Sequence, residues 1–218
     1  MTRLLQLPPL RARRKENTRE RIIAASLDVF VDKGIDGARI DDLARAAGFT
    51  RGAFYSNFSE KEQVFEALFA SVTDQLIGMV RASVDDVRAR ASTTPEPDCT
   101  ALDARAMLEV FEAIRPFGRQ WYLLHSEAVA YSLRHPDSLE GPNQHRTRLR
   151  DEIARALDAG MERHGETATI PTAQLAQLVI GIFIDLMVRE HLGEDDTSDL
   201  AGPTILGVLR AFIRPAAD

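Results

Sequence analysis

Apolar residues recur at three- and four-residue steps along almost the whole chain, and no segment alternates apolar and polar positions as a half-buried strand would. The pattern predicts an all-α fold of nine helices. In the first, Ile23, Leu27, Phe30 and Val31 share a face, Asn17 and Glu20 have capping-box spacing at its start, and Gly34 stands at its end. A short second helix carries Leu43, Ala44 and Ala47 and closes at Gly48, where a left-handed backbone costs nothing extra. Thr50 caps the third, whose Phe54 and Phe58 point back toward the core. Ser59 and Glu62 form another capping box, opening a fourth helix in which Val64, Phe65, Leu68, Phe69, Val72, Leu76, Val80, Val84 and Val87 keep the period. Spanning 60–90, this helix is a rod about 45 Å long at about 1.5 Å per residue, and it ties an N-terminal head to the rest of the chain.

The remaining helices build the body. The fifth carries Leu102, Met107, Val110, Phe111 and Ile114 and stops near Pro116; the sixth carries Trp121, Leu124, Ala128 and Tyr131. The seventh, about 143–163, turns Leu149, Ile153, Leu157 and Met161 inward. Pro171 suits the first turn of the eighth, which holds Leu175, Leu178, Val179, Ile182, Phe183, Leu186 and Met187. A ninth follows Pro203 with Ile205, Leu206, Leu209, Phe212 and Ile213. The last two helices have wider apolar faces than a single small body needs to cover itself. They predict a twofold homodimer with a four-helix interface that buries Leu178, Ile182, Phe183, Leu206 and Leu209.

Composition keeps this picture and charge refines it. With 218 residues, 44% hydrophobic and 28% charged, the chain can build a substantial core without staples. The single cysteine, Cys99, excludes an intrachain disulfide framework and a cysteine-rich zinc site. No apolar run reaches membrane-spanning length, and Leu4, Leu5, Leu7 and Leu10, broken by Pro8 and Pro9, are too short for a signal-peptide core. A cytoplasmic protein without membrane contact is expected. The net charge of −6 is unevenly spread: residues 1–60 carry 11 basic and 8 acidic side chains, residues 61–218 carry 16 and 25. A basic end on an acidic body suits a protein that grips a polyanion with one end. The division expected is a flexible basic arm at 1–16, a head at 17–62 and a helical regulatory and dimerisation body at 63–218.

The second and third helices, LARAAGFTRGAFYSNF, have the spacing of a helix-turn-helix. Leu43, Ala47, Phe54 and Phe58 pack the unit, which leaves Thr50, Arg51, Gly52, Tyr55, Ser56 and Asn57 on the side and end that would enter a major groove. Arg51 has the reach to donate two hydrogen bonds to a guanine edge, whereas Thr50 and Tyr55 suit phosphates. Gly52 keeps the helix close to the duplex. Lys61, in the first turn of the fourth helix, is placed to hold a phosphate.

The stretch RERIIAASLDVFVDKGIDGARIDDLARAAGFTRGAFYSNFSEKEQVFEALF, with its AAG turn, FYSNF run and following Lys61, resembles the TetR family of transcriptional regulators. The resemblance implies a three-helix head that binds double-stranded DNA, an effector pocket in a helical body, and dimerisation through the last two helices. It places Thr50, Arg51, Gly52, Tyr55 and Asn57 on the recognition helix and Lys61 at a phosphate. It also implies a repressor released from a palindromic operator by a small, largely apolar effector. Helical positions draw the wall of that pocket from Leu76, Val80, Met107, Phe111, Trp121, Leu124, His125, Tyr131 and Phe183. One departure stands out: Ala38 and Arg39 occupy the place where the family usually has a Thr or Ser cap. Asp36 is then the expected cap from further back, Asp41 and Asp42 complement the helix dipole, and Arg39 is left for the DNA backbone.

Catalysis finds no support in the sequence. His125, Glu127, His135, His145, His164 and His191 include no HExxH or similar ligand spacing, His125 and Glu127 diverge from one helix, and no glycine-rich loop follows a strand. No catalytic residue, metal ligand or cofactor is assigned.

Overall fold

The computed structural model describes residues 14–91, 109, 111–136, 141–193 and 198–216. The basic arm before residue 14, most of the expected fifth helix with Met107, and Cys99 lie outside the described residues. The expected all-α architecture is observed. Its helices are α1 (Arg14–Gly37), α2 (Ile40–Ala46), α3 (Arg51–Tyr55), α4 (Lys61–Ala91), α5 (Gly118–Arg134), α6 (Gly141–His164), α7 (Thr172–Leu192) and α8 (Ser198–Phe212). A helical stretch at 111–114 runs into a 3-10 turn at Arg115–Phe117, where Pro116 was expected to end the fifth helix.

Several boundaries differ from the sequence expectation, each for a local reason. α1 begins at Arg14, so Asn17 lies within the helix and not at the residue before it; Arg, Lys and Glu propagate a helix well enough to carry it back. At the start of α4 the Ser59 N–H donates to Gln63 Oε1 at 3.0 Å, so the reach-back falls to Gln63 and not to Glu62. α8 starts at Ser198 and takes Pro203 inside it, where proline forgoes one backbone bond. Glu166–Ala168 (β1) and Ile213–Pro215 (β2) form a two-stranded antiparallel ribbon with Thr167 opposite Arg214. Three residues per strand are too few to show any alternation in the sequence.

The chain divides into two compact units, one made of residues up to Thr73 together with Gln120–His145, the other of Asp74–Arg119 and Arg146–Asp218. α4 runs through both. In the first unit Ile22, Ile35, Leu43, Phe54, Val64, Phe65 and Leu68 are fully buried, and Phe30 meets Phe65 edge-on with ring centroids 5.2 Å apart. In the second, Leu175, Met187, Ile205 and Leu209 are buried, and Phe111 meets Phe183 edge-on at 5.3 Å.

A charged clamp joins α4 to α6 in the second unit. Arg81 Nε and Nη2 donate to the two oxygens of Glu152 at 2.7 and 2.8 Å, Arg155 binds the same carboxylate, and Arg148 Nη2 donates to Asp74 at 2.6 Å. These residues line an open polar cavity of about 430 Å³. The Arg81 hydrogen bond, reinforced by Arg155 and opposed by burial, lowers the Glu152 carboxyl from 4.5 to about 2. A folded-state pKa below the unfolded one adds stability above pH 4.5 that is lost as pH falls toward 2. The shift sets a ceiling of about 3 kcal/mol, and because Arg81 and Arg155 are more than half exposed, screening leaves about 1 kcal/mol. Urea midpoints of wild type should therefore exceed those of Glu152→Gln at pH 7 and converge with them between pH 4.5 and 2. A gap unchanged across that range would show that the pair does not act through ionisation.

Candidate nucleic-acid interface

Local sequence builds the helix-turn-helix in steps. Gly48 takes φ +73°, which lets its N–H reach the Arg45 carbonyl at 3.0 Å and the Phe49 N–H reach the Ala44 carbonyl at 2.8 Å. The chain then turns at Thr50, whose Oγ1 accepts from the Ala53 N–H at 3.3 Å and opens α3 as expected. Phe54 is fully buried and Phe58 nearly so, against Leu43, Ala44 and Ala47 in the same core. Arg21 closes the turn from α1. Its guanidinium donates to the Ala47 carbonyl at 3.2 Å, at the negative end of α2, and stands 4.6 Å over the Phe49 ring.

The opposite face of α3 is open. Thr50, Arg51, Gly52, Tyr55 and Ser56 are exposed and Asn57 is half-buried. Arg51 extends along it, with Nη1 3.3 Å from Asp41 Oδ2 and Nη2 donating to the Tyr55 hydroxyl at 3.3 Å. The Tyr55 hydrogen bond and, after it, the Asp41 charge push the guanidinium pKa further up. Ser56 Oγ donates to the Gly52 carbonyl at 3.0 Å and Asn57 Nδ2 to the Ala53 carbonyl at 2.8 Å, so both fold back on their own helix. A Cβ added at Gly52 would meet only Thr50 Oγ1, at an ordinary 3.8 Å, so nothing within the fold requires glycine there.

The start of α2 is held differently from the sequence expectation. Asp36 does not cap it; its carboxylate lies 2.9 Å from Arg134 of α5. The helix begins at Ile40, and Asp42 Oδ2 accepts from the Arg39 N–H at 3.3 Å while its partner Lys33, 2.8 Å away, lowers the Asp42 carboxyl pKa. A first-turn carboxylate thus makes the reach-back bond to the N-cap N–H, while the Asp42 N–H, which a hydroxyl cap would have satisfied, bonds the Arg39 carbonyl at 2.9 Å. Arg39 is exposed and Ala38 is buried. Lys61 Nζ donates to the carbonyls of Asp36 and Ala38, both at 3.1 Å, an anchoring role that the sequence did not reveal.

α5 belongs to the same unit and fixes the turn before α2 from behind. Glu127 Oε1 accepts from the buried Ile35 N–H at 2.9 Å, and the Tyr131 hydroxyl donates to Glu62 Oε1 at 3.4 Å. Burial and then the Glu62 charge raise the Tyr131 pKa. His125, two residues from Glu127, stacks instead on Trp121 with centroids 5.0 Å apart, so the two diverge as expected. No sequence signal joins Glu127 to Ile35 across 92 positions.

The residues expected to line an effector pocket divide between the units. Trp121, Leu124 and Tyr131 are buried and His125 half-buried in the first; Leu76, Val80 and Phe111 are buried and Phe183 half-buried in the second. Of the residues expected at a dimer interface, Leu178 is 43% exposed, Ile182, Phe183 and Leu206 are half-buried, and Leu209 is buried within its own chain. Leu178 and Ile182 line a shallow groove of about 530 Å³ with Gly181, Asp185, Leu200 and Thr204. α7 is also long and apolar enough to cross a membrane by length and composition alone, with 28% of its most apolar stretch buried. Among the described residues, no group of three or more His, Cys, Asp or Glu side chains is arranged to hold a metal ion.

Two short helices with a capped turn and an open arginine-bearing face, among described residues that are helical apart from one two-stranded ribbon, have the geometry of a helix-turn-helix. The family model for bacterial regulatory proteins of the tetR family matches residues 22–68. The HTH-type transcriptional regulator SrpR of Pseudomonas putida is 52% identical over 56 residues, which are 26% of either chain. TtgR, an HTH-type transcriptional regulator of Pseudomonas putida, is 26% identical over 191 residues, 86% of each. A Mesorhizobium loti protein assigned to the TetR-family transcriptional regulators has the same fold, with a TM-score of 0.73 and 16% identity over 92% of this chain and 99% of that one. Residues 22–68 are thus similar to the helix-turn-helix segment of the tetR family, and the chain shares the fold of regulators placed in that family.

Proposed function

We propose that this chain is a sequence-specific repressor that binds double-stranded DNA as a homodimer. The observation that carries the reading is the α3 face, where Arg51 and Tyr55 stand exposed beside a glycine that the fold itself does not need. Gly52, at the second position of α3, leaves the backbone bare on the open face, which suits something that must approach it closely from outside. Arg51 reads a guanine edge; Thr50, Tyr55, Ser56 and Asn57 complete the contact surface; Arg39 and Lys61 face the phosphates. The groove on α7 and α8 supports pairing with a second copy, because α7 is strongly apolar and leaves Leu178 exposed beside Leu200. Twofold symmetry of the protein calls for a near-palindromic operator.

The reading is tested with duplexes selected by the wild-type protein from a randomised pool. Binding should be sequence-specific, and Arg51→Ala should weaken it about tenfold to a hundredfold and abolish the base preference at one position per half-site. Full affinity and unchanged preference in the variant would remove Arg51 as a reader. Release by a small, largely apolar effector is the second half of the proposal, supported by the aromatic and aliphatic side chains of α5. An apolar compound that alters Trp121 fluorescence should also dissociate the complex, by binding better to the form that does not fit the operator.

A further inference from the structure

The carboxylate of Asp41 is an unexpected neighbour for a DNA-reading arginine. It sits in the first turn of α2, half exposed, with no role in packing, on a face where phosphates would approach. For affinity alone, a negative charge there is unfavourable. Asp41 does, however, grip Arg51 from one side while the Tyr55 hydroxyl grips it from the other, each at 3.3 Å and each through a different terminal nitrogen. The two anchors stand on the two helices of the reader, so the orientation of the guanidinium follows the geometry of the helix-turn-helix and not the rotamers of a lone side chain. Arginine has five N–H donors in one plane, and these contacts use one on each terminal nitrogen, leaving three for a further contact.

We propose that Asp41 is a specificity-determining residue, which positions Arg51 for a guanine edge and keeps it from the backbone of unrelated DNA. An unrestrained arginine beside a duplex has a phosphate within reach at every sequence. A guanidinium held by a carboxylate gains little from one more anion, and Asp41 itself repels the phosphate that would draw it away. A guanine supplies two acceptors along the fork, whereas the other bases leave donors unpaired. Asp41 thus lowers affinity for all DNA and lowers it least for the correct site, a way of discriminating by penalising the wrong partner.

This inference rests on the proposed DNA-reading function, and the experiment separates the two. Fluorescence anisotropy is read with the selected duplex, with the same duplex substituted at the guanine lost in Arg51→Ala, and with a scrambled duplex, at two salt concentrations. Asp41→Ala should bind the scrambled duplex about threefold to tenfold more tightly at low salt and lose about fivefold or more of the guanine preference. Asp41→Asn, which keeps an acceptor oxygen without the charge, should show the same gain on scrambled DNA while retaining most of the guanine preference. In an Arg51→Ala background, Asp41→Ala should leave base preference unchanged, since its effect on reading passes through Arg51. Matching thermal midpoints establish that the exposed substitutions leave the fold intact. If wild type and Arg51→Ala behave as proposed but Asp41→Ala alters neither scrambled binding nor guanine preference, Asp41 has no such role. If its preference change persists without Arg51, at a different base pair, Asp41 reads a cytosine amino group directly and the positioning account is wrong. A wild-type protein with no preference for any duplex overturns the function and this inference together.

Discussion

Gly34→Ala should lower the thermal midpoint by about 5–15 °C, from a loss of about 2–5 kcal/mol. Gly34 has φ 67° and ψ 179°, a region that only glycine enters without strain, and the residue breaks α1 just before the turn to α2. Space compounds the backbone penalty. An added Cβ would lie 3.0 Å from Glu127 Oε1 and 3.1 Å from its Cδ, so the carboxylate must retreat from the Ile35 N–H that it accepts at 2.9 Å. Ile35 is fully buried, and an amide left there without an acceptor adds about 1–3 kcal/mol. Glu127→Ala removes the acceptor alone and should cost less than Gly34→Ala. The double variant should fall short of the sum, because both changes break the same hydrogen bond. Midpoints within about 2 °C of wild type for Gly34→Ala would mean that the turn relaxes freely and that α5 does not hold it.

The same turn shows what the sequence disclosed and what it could not. Gly34 was readable as a helix stop because the apolar period breaks there, and Gly48 as a left-handed cap because its neighbours are helical on both sides. Thr50 was readable as the cap of α3 for the same reason: a cap bonds residues two or three away, within the reach of a sequence window. Glu127, Arg134 and Tyr131 were not, since their partners Ile35, Asp36 and Glu62 lie far away in sequence and a solvated carboxylate looks the same as a clamping one. Lys61 was read only as a phosphate ligand, yet it also holds two carbonyls at the end of α1. The errors at Asn17 and Glu62 have another origin. Helix-forming residues extend α1 backward past a competent cap, and at α4 two acceptors, Glu62 and Gln63, compete for one backbone donor.

The second large effect is expected at the exposed Leu178 of α7, where Leu178→Asp should convert the proposed dimer into a monomer and lower operator affinity by about a hundredfold or more. Leu178 is 43% exposed, so a charge there costs the isolated chain little, and the variant should melt near the wild-type temperature. In a twofold interface the substitution occurs on both copies, so two carboxylates must be desolvated within one apolar contact. Arg189, a cation lining the same groove, already donates to Asp185 at 2.9 Å, so neutralising the new carboxylates would cost that pair. The loss on DNA follows from linkage. Two joined heads bind the second half-site at a high effective concentration, whereas two free heads must each bind from solution. Affinity for an isolated half-site should therefore be equal in Leu178→Asp and wild type, while affinity for the full operator collapses only in the variant. Sedimentation equilibrium at micromolar concentration gives the oligomeric state, and anisotropy on half and full sites gives the coupling. A variant that remains dimeric would place the partner elsewhere, and a monomeric variant with unchanged operator affinity would show that the heads read DNA independently.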